Sequence, residues 1–144
     1  MTADRKVALD ALYPVAEKQA SRLRTRTGKT LDELTLDAVR EGRIDAADIA
    51  ITPEALRLQA EVAETAARPQ LGENLRRGAE LAGVPQETIF ETYELLRPGR
   101  ACDKAELLAL AERYRREFDA PAIAALIEEA AAVYARRGLY RKRF

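Results

Sequence analysis

TPEALRLQAEVAETAARPQLGENLRRGAELAG, running from Thr52 to Gly83, is the stretch on which the fold class turns. Thr52 can cap a helix with its side-chain oxygen, and Pro53 follows at the first helical position, where a missing N–H costs nothing. The residues after it are mostly strong helix formers. Pro69 interrupts the helix. Leu71, Leu75, Gly78 and Ala82 then share one face of a second helical segment, which Gly83 ends. Strand signals are nearly absent: β-branched residues do not alternate, and alanine is abundant.

The same grammar continues downstream. Pro85 opens a segment that stops at Pro98-Gly99, with Ile89, Tyr93 and Leu96 on one stripe. Asp103 and Glu106 form a D-x-x-E variant of the capping box ahead of KAELLALAERYRREF. There Leu107, Ala111, Tyr114 and Phe118 repeat at helical spacing. Asp119 is read as the cap of the last helix, whose Ile123, Leu126, Ile127, Ala130 and Tyr134 give a broad apolar face before Gly138 ends it. Upstream, Tyr13-Pro14 breaks whatever helix VALDAL begins, because the residue before proline avoids the helical region. Thr35 caps a short helix that ends at Gly42, and RIDAADIAI is a turn or a single helical turn. The expected fold is all-α: a small up-and-down helical bundle over residues 52–138, with an irregular N-terminal arm over 1–51 and a basic tail over 139–144.

Composition narrows the function classes. The chain has 144 residues, enough for one domain, and 47% of them are apolar, which argues against disorder throughout. Its 24 basic and 24 acidic residues cancel, so no field over the whole surface attracts nucleic acid or anionic lipid. Histidine is absent, which removes imidazole bases, Ser-His and Cys-His pairs and histidine metal ligands. Cys102 is the single cysteine, so neither an intrachain disulfide nor a cysteine zinc site can form. Its neighbour Asp103 is acidic, and activated thiols instead sit beside cationic groups. No apolar run approaches membrane-spanning length and MTADRKVALD is not a signal peptide, so the cytoplasm is the default compartment.

Gly28-Lys29-Thr30 looks like the end of a phosphate-binding loop. The motif needs a glycine five residues before Gly28, and Leu23 stands there. No buried strand precedes it either. Gly28 is read instead as a turn releasing the chain into LDELTLDAVREG. Paired carboxylates (Asp32-Glu33, Glu128-Glu129, Glu87 with Glu91) lie beside polar neighbours and read as solvated surface. The basic end carries Arg136, Arg137, Arg141, Lys142 and Arg143, with Tyr140 and Phe144. It could touch RNA, or simply complement a helix C-terminus; the lack of a matching basic stripe elsewhere favours the latter. Arg97 and Arg100 flank Pro98-Gly99 at a helix exit, where they could grip a carboxylate on a partner or merely punctuate the turn. No constellation of nucleophile, base and oxyanion donor is visible.

The order of segments is more distinctive than any one of them. GKTLDELTLDAVREGRI, DIAITPEALRLQAEVAE, NLRRGAELAGVPQETIFETYELLRPGR, AELLALAERY and AALIEEAAAVYARR together closely resemble the small (γ) subunit of adenosylcobalamin-dependent diol and glycerol dehydratases. The resemblance covers roughly residues 13–142; ITPEALRLQA, RRGAEL and YELLRP are its most specific pieces, and Lys29-Thr30-Leu31-Asp32 resembles the family's step into its first helix. It implies a non-catalytic subunit that packs on a large catalytic subunit, within a doubled complex of large, medium and small chains. It also implies that adenosylcobalamin and a metal ion are bound by the other subunits, with none bound by this chain alone. Such complexes convert propane-1,2-diol or glycerol to the aldehyde by a radical route. No nucleic acid or membrane is implied as a partner.

Two departures stand out. Only 12 residues precede Tyr13, whereas some family members carry a long N-terminal extension associated with microcompartment packaging. The turn after Leu96-Arg97-Pro98 has Gly99 and a longer loop where the family usually holds an aromatic. The N-terminal third is polar with scattered apolar anchors, too few to offset about 1–2 kcal/mol of backbone entropy per residue, so it is expected to order against the large subunit. The candidate partner-interface residues are Tyr13, Leu31, Leu34, Leu36, Ile49, Ile51, Arg97 and Arg100. The competing readings are a helical adaptor that meets nucleic acid through the basic tail, and a small enzyme with an unrecognised site.

Overall fold

Thr52 caps the longest helix of the N-terminal half as its sequence requires, its hydroxyl accepting from the Ala55 N–H at 3.2 Å. The computed structural model describes residues 3–140. Every regular element among them is helical, so the chain is all-α. The basic tail residues Arg141, Lys142, Arg143 and Phe144 lie outside the described residues. The chain divides into two compact units, Met1–Ala82 and Gly83–Phe144. That boundary differs from the expected one at 51/52.

The first unit contains α1 (Ala3–Leu12), α2 (Val15–Lys18), α3 (Leu36–Arg40), α4 (Ala46–Ile49), α5 (Pro53–Thr65) and α6 (Pro69–Leu81). It also has 3₁₀ turns at Ala20–Arg22 and Leu31–Glu33. Helices α5 and α6 form a hairpin around buried Leu58, Ala60, Ala63 and Ala79. Small residues let the two backbones approach closely. A Cβ on Gly72 would stand 2.7 Å from Glu64 Cγ and 3.2 Å from the Ala60 carbonyl oxygen. Arg76 straps the pair from outside, its fork meeting both Glu64 oxygens at 3.0 and 2.8 Å. The N-terminal third is anchored within this unit: α1 packs on α5, and Arg22 donates to both oxygens of Glu61 on α5 at 3.1 and 2.9 Å. Thr35 caps α3 through the Ala38 N–H, and Gly42 follows it with φ +71°, as the sequence indicated.

The second unit contains α7 (Gln86–Leu95), α8 (Lys104–Phe118) and α9 (Pro121–Arg137). Helices α8 and α9 pair as a second hairpin, strapped by Arg115 to both Glu128 oxygens at 2.6 and 2.8 Å. Its core holds Leu107, Ala111 and Tyr114 from α8 and Ile123, Ala124, Ile127 and Ala131 from α9. The turn after α7 is tied to the end of α9 by a bond from the Gly99 N–H to the Leu139 carbonyl at 2.8 Å. Tyr134 donates to the Leu96 carbonyl, and Tyr140 to the Ala131 carbonyl at 2.6 Å.

Several local expectations need correction. Asp119 is the left-handed C-cap of α8, with φ +49°, and Ala120 is the N-cap of α9. Pro121 takes the first helical position, which moves the N-cap to the residue just before it. Asp103 does cap α8 through the Glu106 N–H at 3.0 Å, but the Glu106 carboxylate reaches back to the Cys102 N–H, not to that of Asp103. On α6 the buried positions are Gly72 and Ala79, while Leu71 stays exposed. On α9 Leu126 is exposed, and Ala124 and Ala131 fill the core instead. Glu128 is not merely solvated, because it ties α9 to α8.

Ala67 joins α5 to α6 with φ +64°, a region that L residues other than glycine enter at a cost. Ala67→Gly is therefore expected to stabilise the protein by about 0.5–1 kcal/mol, read as a rise in the urea midpoint at unchanged slope.

Candidate partner interface

The Gly28-Lys29-Thr30 step is a structural clasp. The Thr25 N–H donates to the Lys29 carbonyl, and the Gly28 N–H to the Thr25 carbonyl, both at 3.0 Å. The tight turn this makes needs φ +91° at Gly28, which glycine supplies without strain. The turn aims Lys29 at Asp48, the one carboxylate of α4, whose two oxygens lie 2.9 and 2.8 Å from Nζ. Thr27 also donates its hydroxyl to Asp48, and the Asp45 N–H adds a bond at 3.1 Å. The Asp48 side chain is only 1% exposed, so the carboxylate is shielded from solvent while Lys29 stays partly exposed. Thr30 then starts the next turn, its N–H and hydroxyl donating to Glu33 at 2.7 and 2.9 Å.

These bonds, led by Lys29 and then Thr27, hold the Asp48 carboxyl well below the usual carboxylate range. The folded state therefore keeps Asp48 charged where the unfolded state would protonate it. Its stabilising contribution is present above the unfolded aspartate value of about 4 and is lost as pH falls through the folded value. Lys29→Met should lower the melting temperature at pH 7, and the gap from the unmodified chain should narrow progressively below pH about 4. Melting curves at both pH values check this; a constant gap would contradict it.

The clasp joins the loop to α4 and so forms one wall of a groove of about 350 Å³. Leu31, Leu34, Ile49 and Ile51 line that groove together with Leu23 and Ala55. Four of the eight candidate residues are thus brought to one place. Tyr13 lines an adjacent groove with Leu9, Val62, Leu71 and Leu75; Val15 and Gln59 border both. Ile49 is 73% exposed, which for a large aliphatic side chain marks uncovered apolar surface. Leu36, 66% exposed, sits on α3 and lines neither groove. Arg97 and Arg100 belong to the second unit and both turn to Glu94, at 2.9 and 3.9 Å. Their charge is therefore partly answered within the chain.

Other exposed apolar positions were not among the candidate interface residues. On α7 the threonines are buried: Thr92 donates to the Thr88 carbonyl at 2.8 Å, and its oxygen lies 2.9 Å from the Tyr114 hydroxyl. Phe90 and Tyr93, one turn apart, are consequently turned outward at 59% and 64% exposure. Of the expected Ile89–Tyr93–Leu96 stripe, Ile89 and Leu96 are half-buried, and only Tyr93 is turned outward. A hydrophobicity pattern could not foresee that two threonines would serve as core through a hydroxyl ladder. Val39 and Leu71 are also exposed. Among the described residues, no group of three His, Cys, Asp or Glu side chains is placed to hold a metal ion, and no helix is long and apolar enough to cross a membrane.

Each of the two units thus carries uncovered apolar side chains of the kind that partner proteins cover. Residues 9–141 match the family described as dehydratase small subunit, and the chain belongs to that family. It is 46% identical over 125 residues to the propanediol dehydratase small subunit of Citrobacter freundii, covering 87% of this chain and 72% of the relative. It is 45% identical over the same length, with the same coverage, to the propanediol dehydratase small subunit of Salmonella typhimurium.

Proposed function

We propose that this chain is the non-catalytic small subunit of an adenosylcobalamin-dependent diol dehydratase, a hydro-lyase that converts propane-1,2-diol or glycerol to the aldehyde and water. The observation that carries this reading is the 45–46% identity to propanediol dehydratase small subunits across 87% of the chain. The partners are the large and medium subunits, in a doubled three-subunit complex in the cytoplasm. Adenosylcobalamin and the metal ion belong to those subunits; this chain, with no histidine, offers no imidazole ligand. Its part is to pack on the large subunit and support assembly. The groove of Leu31, Leu34, Ile49 and Ile51 and the neighbouring Tyr13 supply the apolar contact, and Leu36, Arg97 and Arg100 complete the contact set. Burying such side chains yields about 25 cal/mol for each Å² of apolar area removed from water, which is the driving force for docking. The chain's zero net charge gives little colloidal protection when it is unpartnered. Titration of the purified chain with adenosylcobalamin tests the division of labour: no spectral change is expected, and saturable binding would contradict it.

A further inference from the structure

The loop before the Lys29 clasp carries arginine at alternate positions, Arg22, Arg24 and Arg26. All three line one pocket of about 390 Å³, closed by Thr25 and by the first turn of α5, where Glu54 stands. The three are not equivalent. Arg22 is taken up by Glu61, with a fork of bonds at 3.1 and 2.9 Å. Arg24 and Arg26 bond only to backbone carbonyls, Leu23 at 2.7 Å and Ala82 at 3.2 Å, and among the described residues neither forms an ion pair. The local acids are already engaged: Glu33, near Arg24, is held by Thr30, and Glu54 pairs with Arg57 at 3.4 Å. Most other arginines of this charge-balanced chain have a carboxylate partner, as in the pairs at Arg43, Arg76, Arg77, Arg97, Arg113 and Arg115. A pocket with two guanidinium groups that lack a direct ion pair among the described residues is therefore a local departure from the pattern of the molecule, although Glu33 acts on Arg24 from a distance.

We propose that this pocket, through Arg24 and Arg26, receives a carboxylate side chain of the large subunit when the small subunit docks. The inference rests on the functional reading above and adds a charged contact to its apolar one. The pocket borders the apolar groove through Arg24 and Thr25, which line both. Guanidinium is a planar fork that matches carboxylate geometry. In the free chain such an exposed pair with a dissolved anion would be screened and weak. A carboxylate tethered to a partner surface arrives at high effective concentration, and the docked interface excludes water around it. The contact therefore acts mainly on the rate and register of association.

The experiment measures association of the full-length chain with the large and medium subunits from the same organism, at low and high salt. R24Q/R26Q is expected to slow association about tenfold at low salt, with the difference collapsing near about 1 M salt, where screening acts over about 3 Å. R24K/R26K, which keeps the charge, should retain most of the rate. If circular dichroism shows R24Q/R26Q unfolded, R24Q alone serves, because the side-chain hydrogen bond Arg24 makes among the described residues is to its neighbour's carbonyl; its expected loss is smaller but shows the same salt dependence. Equal rates for the unmodified and variant chains at low salt would overturn the assignment while leaving the subunit reading intact. If the unmodified chain fails to associate, the subunit reading falls and this assignment with it. A parallel titration uses inorganic phosphate: saturable binding to the free chain that R24Q/R26Q abolishes would reassign the pocket to a free oxyanion and overturn the carboxylate.

Discussion

Tyr114→Ala is expected to destabilise the protein by about 3–5 kcal/mol, the range for deleting a large buried aromatic side chain. Tyr114 is the largest fully buried side chain among the described residues. Its ring meets Phe118 edge-on, with centroids 5.5 Å apart, so the deletion also removes an aromatic pair on α8. The hydroxyl has a separate role. Thr92 donates its own proton to the Thr88 carbonyl, so the Tyr114 hydroxyl is the donor in the 2.9 Å contact between them. Tyr114→Phe removes only that bond and should cost about 1 kcal/mol, because Thr92 keeps its bond to Thr88. Urea unfolding of both variants separates the two contributions. Equal losses would mean that the hydroxyl, not the packed ring, dominates.

Ile49→Asp with Ile51→Asp is expected to leave the free chain folded and to weaken its docking by at least about 3 kcal/mol, more than a hundredfold in affinity. Both side chains are largely exposed in the free chain, at the end of α4 and in the short link to α5, so charges there remain hydrated. Against a partner surface the same carboxylates would be stripped of water with nothing arranged to pair them. Circular dichroism should be unchanged, and dehydratase activity of the complex should fall with its assembly. Normal entry of the double variant into the complex would remove this groove from the interface.

The helices after Thr52 were legible because their punctuation is local: Thr52 and Pro53, Pro69, Asp103 and Gly138 each fix a boundary through the chemistry of one or two residues. All-α follows from that punctuation together with the near absence of strand signals. The division into Met1–Ala82 and Gly83–Phe144 rests on contacts between distant residues and not on local punctuation. Polar, aperiodic sequence before residue 50 reads as an arm, yet it is held on α5 by contacts that no periodicity announces. Arg22 finds Glu61, 39 residues away, and Lys29 finds Asp48, 19 residues away. Pairings of that kind depend on where the backbone turns, as at Gly28, and not on any pattern along the chain. Part of the surface clustering was legible. Leu31, Leu34, Ile49 and Ile51 stand out as apolar anchors in polar surroundings and do share a groove. Phe90 and Tyr93 do not read as surface, because aromatics usually outrank threonine for the core, and here the hydroxyl ladder to Tyr114 reverses that order. Arg24 and Arg26 do not stand out in the sequence, because whether an arginine meets a carboxylate depends on the folded backbone and not on its neighbours along the chain.

Coexpression of this chain with the large and medium dehydratase subunits, followed by size exclusion and an aldehyde assay with propane-1,2-diol, tests the central claim most directly. The account predicts one peak containing all three chains and holding the aldehyde-forming activity, together with a loss of soluble, active complex when this chain is omitted. A fully active complex of the large and medium subunits that forms equally well without this chain would contradict it.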